Sequence, residues 1–155
     1  MFDMVNHKVA GDTTEAVVMA EFVMAGFPVL IPFGENHRYD LVIEAGGHFL
    51  RVQCKTASPC GWKGDQSCLR FHAYSHRFEA GKFKGREAYR DQADLFAAYA
   101  PSTGKVHVLA VDEVPETDVW LRLTPARNGQ QSKVRMAEDC TLASWAARQG
   151  EIGAA

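Results

Sequence analysis

Asp40, Gln53 and Lys55 are a carboxylate, an amide and an amine spaced so that one bend of the chain can bring them together. Oxygen donors side by side suit a hard divalent cation such as Mg²⁺, which takes one or two carboxylates, keeps several waters and completes its shell with phosphate oxygens. An amine beside such an ion can orient a water or help to deprotonate it, while the ion stabilises charge developing on the phosphate. The three side chains therefore outline metal-assisted hydrolysis of a phosphodiester.

The element that must position them is the run 38–55. Two runs with alternating apolar residues flank Gly46-Gly47, and paired glycines accept the positive φ that both central positions of a type I′ turn require. With Ala45 opposite His48, Leu41 faces Val52, Ile43 faces Leu50 and Asp40 faces Gln53. Leu41, Ile43, Leu50, Val52 and Cys54 then share a core face, and Asp40, Gln53 and Lys55 share the exposed one. The plainer alternative is that this polar alternation is only the solvated side of a hairpin.

Around the hairpin the spacing predicts a helix over 12–25, capped by Asp12, with Ala16, Val17, Ala20, Val23 and Met24 as its apolar stripe and Gly26 as its end. Asp12-Thr-Thr-Glu15 has the spacing of a capping arrangement, so Glu15 has a structural reading at the third helical position. A short buried strand is expected over 28–32, a loop over 56–65, and strands over 68–73, 95–99, 106–111 and 120–123. Residues 74–91 show no clean period and are expected to be irregular; 127–133 reads as polar loop, and a terminal helix starts near Thr141. This order suggests a mixed sheet with helices packed against it.

At 155 residues, with 46% hydrophobic and 23% charged, the chain has one domain's length, and no apolar run approaches the roughly 20 residues of a membrane span. The N-terminus carries no apolar signal segment, so a cytoplasmic location is expected. A net charge of −2 excludes a uniformly basic nucleic-acid binder, but residues 51–90 hold nine Lys or Arg against three acids, +6, and the remainder eight against sixteen, −8. One stretch can thus face phosphates. Cys54, Cys60, Cys68 and Cys140 are expected as free thiols, and the spacing of Cys60, Cys68, His72 and His76 lacks the short knuckle of a structural zinc site.

Asp40 followed by Gln53-Cys54-Lys55 resembles the PD-(D/E)XK nuclease motif, in which an Asp on one strand and a (D/E)-x-K on the next flank the scissile phosphate. The wider string, Glu15, then 31–40 and 51–56, is similar to the branch containing group I intron-encoded homing endonucleases and, more distantly, archaeal Holliday junction resolvases. The likeness runs from there through Asp94 to about Asp139. It implies an α/β fold (α+β mixed sheet) with a restriction-endonuclease-like core: a helix followed by a mixed β-sheet with flanking helices. The chain would be a single domain, 1–155, with its core at about 10–112 and a C-terminal extension over 113–155.

Carried over, Glu15 is the helix-borne carboxylate, Asp40 the central metal ligand, Gln53 a ligand through its amide oxygen, Cys54 a ligand through its main-chain carbonyl, and Lys55 the group that positions the attacking water. Tyr39 replaces the Pro of the motif at a position that faces the core. Gln53 replaces the acid, which weakens cation binding, although the homing-endonuclease branch is similar in using Gln there.

The resemblance implies a Mg²⁺-dependent endodeoxyribonuclease, with Mn²⁺ as a substitute ion, DNA as partner and a dimer or tetramer as the assembly. Arg38, Arg51, Lys63, Arg70, Arg77, Lys82 and Lys84 are candidate DNA contacts, interleaved with Trp62, Phe71, Tyr74, Phe78 and Tyr89, a mixture that can track a backbone and stack on bases. The alternative for Arg38 and Arg51 is a salt bridge to Glu44 or Asp40. Tyr89, Arg90 and Asp94 are further candidates to complete the site. Two rival readings stay open: a nuclease-like module that binds DNA without cutting it, and a structural or oligomerising protein.

Overall fold

The computed structural model describes residues 7–126, 128–130 and 132–153, with the side chains of Trp62 and 151–153 outside the description. Arg127 and Gln131, in the stretch expected as polar loop, also lie outside the described residues.

Helix α1 (His7–Met24) begins before Asp12, so Asp12 and Glu15 are interior and the capping reading of that tetrad is overturned. Its buried face is Thr14, Val18 and Phe22 at i, i+4 and i+8, whereas Ala16, Ala20, Val23 and Met24 of the expected stripe are exposed. Phe22 is the reason. Its ring and Val18 are removed from water entirely, each worth about 1.5–3 kcal/mol, which outweighs burying two alanines. The helix ends in a Schellman motif: Gly26 takes φ +89°, Gly26 N donates to Val23 O, Phe27 N donates to Phe22 O, and the Phe27 ring packs on Phe22.

Strands β1 (Val29–Leu30), β2 (Leu41–Ala45), β3 (His48–Thr56), β8 (Leu95–Ala100) and β9 (Lys105–Ala110) form a mixed five-stranded sheet in the order β1-β2-β3-β8-β9. The β3–β8 pair is parallel and the other pairs are antiparallel. β1 is an edge strand with Leu30 exposed, not the buried strand expected. The β2–β3 register is the one read from the Gly-Gly turn, with Gly46 and Gly47 at φ 59° and 78° and Leu41 opposite Val52.

A second sheet, β10-β5-β4, is built from β4 (Ser58–Cys60), β5 (Cys68–His72) and β10 (Asp118–Arg122). β4 lies inside the expected loop: Pro and Gly mark the segment as punctuated, yet Pro59 is tolerated because β4 is an edge strand. β6 (Tyr74–Glu79) and β7 (Lys82–Ala88) form a separate hairpin around Ala80-Gly81, where the irregular excursion was expected. Most of its side chains are exposed, Phe78 and Phe83 included, so no face had to be apolar and no period shows.

The five-stranded sheet is covered on both faces. On one side Leu41, Ile43, Val52, Cys54, Ala97 and Val108 pack against Val18 and Phe22 of α1 and Leu142 and Trp145 of α2 (Leu142–Gly153). On the other, Phe96, Ala98 and Leu109 pack against Leu69, Phe71, Val119 and Leu121 of the second sheet, with Tyr89 and half-buried Tyr39 at the rim. β10 and α2, both beyond residue 112, thus pack into these two cores. Thr141 caps α2, its Oγ1 accepting from Ser144 N. Among the described residues no helix is long and apolar enough to cross a membrane.

Candidate active site

The polar face of β3 meets the end of the second core. Regular β2–β3 pairing stops at Leu41, and Asp40 N donates to Val52 O at 2.9 Å, so Asp40 lies just outside the ladder instead of pairing with Gln53 through the main chain. Its carboxylate makes up the difference. Asp40 Oδ2 accepts from Cys54 N at 2.7 Å and from Gln53 Nε2 at 2.8 Å, and the same amide nitrogen donates to Cys54 O at 3.2 Å.

This face is also less open than alternation implied. Burial holds the Asp40 carboxyl above the usual carboxylate range, against the pull of the Cys54 N–H and the Lys55 charge. Lys55 Nζ donates to Tyr74 O at 3.1 Å and to Tyr89 Oη at 3.2 Å, over the Tyr89 ring. Burial lowers its pKa to about 8, Asp40 opposing and Arg38 assisting. Cys54 supplies only main-chain atoms, because its thiol faces the helices and burial pushes its pKa far up.

Glu15 reaches the site from α1, whose adjacent Thr14 hydroxyl lies 2.6 Å from the Thr56 hydroxyl at the end of β3. Partial burial, then the negative charges of Asp40 and Asp12, raise the Glu15 carboxyl. The Asp40 charge thus disfavours a second negative charge on Glu15, a tension that a cation near both would relieve.

The donors are therefore hard oxygens: Asp40, Glu15, the Cys54 carbonyl and, with the amide turned end for end, Gln53 Oε1. Such a set fits Mg²⁺ or Mn²⁺ and not a thiolate-seeking ion. Among the described residues no group of three or more His, Cys, Asp or Glu side chains is placed to hold a metal, so main-chain, amide and substrate oxygens have to complete any shell here. The zinc quartet is not assembled: Cys60 and Cys68 lie together, but His72 is held by Asp118 at 2.5 Å.

The basic candidates separate into two kinds. Arg38 and Arg51 are engaged within the fold, and with partners other than the Glu44 or Asp40 of the alternative reading. Arg38 donates to Gln92 Oε1 and Ser75 Oγ, each at 2.5 Å, and to Ala88 O at 2.9 Å, and lies over the Tyr89 ring. Arg51 forms a forked pair with Asp94, which caps the start of β8. Arg77, Lys82 and Lys84 project from the β6–β7 hairpin, Lys84 at 3.7 Å from Glu79, while Lys63 and Arg70 lie on the second sheet's outer side, Arg70 over Trp120. Of the further candidates, Tyr89 joins the site through Lys55, and Arg90 pairs instead with Glu116 and Asp112. The role of Arg38 as the fastening of a hairpin to the site was not foreseen; its partners lie 37–54 residues away, and no local pattern announces them.

A family model described as PD-(D/E)XK endonuclease matches residues 5–143. The structure is similar to that of a bacterial homing endonuclease, I-Ssp6803I, with a TM-score of 0.73, 24% identity, and coverage of 96% of this chain and 97% of that one. The likeness supports a restriction-endonuclease-like fold with a mixed sheet. A search of curated protein sequences returns no significant match.

Proposed function

Because the chain belongs to the PD-(D/E)XK endonuclease family, we propose that it is a divalent-metal-dependent endonuclease that hydrolyses DNA phosphodiesters. What supports the proposal is the hydrogen-bonded cluster of Asp40, Gln53 and the Cys54 main chain, with Glu15 close enough to feel the Asp40 charge and the Lys55 pKa lowered by burial to about 8.

Asp40, Glu15, Gln53 Oε1 and the Cys54 carbonyl would hold Mg²⁺, or Mn²⁺ in its place. When bound, the ion supplies charge stabilisation at the phosphate oxygens and acidifies a water. Lys55 orients the attacking water through Nζ and, in its neutral form, takes a proton from it. Tyr89 and the Tyr74 carbonyl hold that amine in place. Lys63, Arg70, Arg77, Lys82 and Lys84 serve as the phosphate-contacting surface, and Arg38 and Arg51 support the site from within.

Cutting both strands at one place takes two such sites, which favours a dimer or tetramer. Val23, Met24, Leu30, Ile31 and Phe33 are exposed apolar residues on α1, β1 and the following turn, and such a set suits burial between copies. Light scattering that returns a monomer at working concentration would remove that part of the reading.

The deciding experiment is incubation of plasmid, linear and four-way-junction DNA with the protein, with and without Mg²⁺ or Mn²⁺. Metal-dependent cleavage is expected. Gln53 in place of an acid favours the rival reading, a module that binds DNA and leaves it whole, and binding without cleavage under every metal condition would establish that rival.

A further inference from the structure

Cys60 and Cys68 play no part in the site described above. They stand directly opposite each other in the β4–β5 ladder. Facing Cα atoms of an antiparallel pair lie about 4.5–5.5 Å apart, inside the roughly 4.4–6.8 Å that a disulfide spans. Their sulfurs are 2.6 Å apart, well inside the roughly 3.5–4.0 Å at which even smaller non-bonded carbon atoms rest. Neither His72 nor His76 joins them as a third ligand among the described residues. Cys68 is buried and Cys60 half-exposed, and both line an open cavity whose rim carries Lys63, Arg70 and Arg122, so a small soluble reagent has a path to Cys60.

We propose that Cys60 and Cys68 are a reversible dithiol–disulfide pair, oxidised by a low-molecular-weight disulfide such as glutathione disulfide, that locks the neck of the 61–67 loop. The Cys60 thiol gives up its proton and attacks one sulfur of the reagent, forming a mixed disulfide and expelling one glutathione thiolate. The Cys68 thiol then loses its proton and attacks the Cys60 sulfur, forming the internal bond and expelling the second thiolate. The protein loses two protons and two electrons, and one glutathione disulfide becomes two glutathiones. Burial first and then Cys68 push the Cys60 pKa up to about 12, with Arg70 and Arg122 pulling the other way, so the exchange is slow near neutral pH.

The loop so closed is tightly wound. Lys63 and Gln66 both take left-handed backbone, at φ 54° and 47°, and a Cβ at Gly61 would fall 1.8 Å from Asp65 Oδ1. A bond at its neck restrains Lys63, the loop's own cation. The test reads the thiols and not DNA cleavage, so its outcome is independent of the nuclease reading.

The test is to equilibrate the full chain over a series of glutathione disulfide to glutathione ratios. The sample is then denatured in N-ethylmaleimide and digested with trypsin without reduction. Cleavage after Lys55, Lys63 and Arg70 puts each cysteine on its own peptide. The expected product joins peptide 56–63 to peptide 64–70 with loss of two hydrogens, while Cys54 and Cys140 are still alkylated. Native digestion at Lys63 should slow in that form and recover with dithiothreitol. Stable glutathione on Cys60 without the cross-link, a bond to Cys54 or Cys140, or thiols that persist in glutathione disulfide alone would overturn it. Cys60→Ser, at the half-exposed position, should abolish the cross-link; if that variant does not fold, the wild-type peptide map decides.

Discussion

The amide nitrogen of Gln53 sits between Asp40 Oδ2 and the Cys54 carbonyl, donating to both at 2.8 and 3.2 Å. With its partial positive charge it stands between the two oxygens to which the proposal assigns the cation. On that proposal, loading would exchange one electropositive group for another and would need the amide to turn over, a rotation that reverses its nitrogen and oxygen.

Asp40→Asn tests the centre of that arrangement. The asparagine keeps an oxygen for Cys54 N and should change stability by less than about 1 kcal/mol, but it removes the charge proposed to bind the metal; cleavage should fall by at least about 10²–10³-fold. Asp40→Ala is a poorer probe than an exposed position would allow, because it strands the Cys54 N–H in a half-buried site at a cost of about 1–3 kcal/mol. Undiminished cleavage by a folded Asp40→Asn protein would remove Asp40 from the mechanism.

Gln53→Glu restores the acid of the family motif. A third carboxylate beside Asp40 and Glu15 should destabilise the metal-free protein and tighten Mg²⁺ or Mn²⁺ binding by about tenfold, equivalent to ~1.4 kcal/mol. Calorimetric titration reads the affinity, and the thermal midpoint should rise more on metal addition than in the wild type. Equal affinities in the two proteins would mean that residue 53 does not ligate.

The role proposed for Lys55 predicts a pH dependence. With its pKa lowered to about 8, the fraction of neutral amine grows about tenfold per pH unit below that value and saturates above it. Single-turnover cleavage should follow that limb and level off at or below pH 8, a bound cation lowering the break further. Lys55→Arg keeps the charge but cannot release its proton. It should lose the limb and about 10²–10⁴-fold in rate. An unchanged profile in that variant would assign the limb to another group.

What could be read beforehand follows the physics of each signal. The β2–β3 register was legible because a two-residue bend at Gly46-Gly47 sets Ala45 opposite His48, and a one-residue slip would expose Leu41, Ile43 and Val52. The meeting of Asp40 and Gln53 was legible because both lie on that ribbon. The α1 face was misread because small alanines satisfy a helical period as well as Val18 and Phe22 do, and size decided burial. The β6–β7 hairpin was hidden because its solvated strands carry no alternation. Its attachment through Arg38 depends on contacts distant in sequence.

Arg38→Met and Arg38→Lys together test that attachment. Arg38 ties Ser75 and Ala88, at the root of β6 and β7, to Gln92 and the Tyr89 ring. Losing its charged hydrogen bonds should cost about 1.5–3 kcal/mol each way the fork is broken, and amide exchange across 74–88 should quicken in both variants, since a lysine cannot reproduce the fork. The two differ electrostatically. Arg38 is one of the charges that depress the Lys55 pKa, so Arg38→Met should move the break in the cleavage profile to higher pH, whereas Arg38→Lys leaves a cation there and keeps the break lower. Faster exchange with identical breaks in both variants would show that Arg38 holds the hairpin but does not tune the lysine.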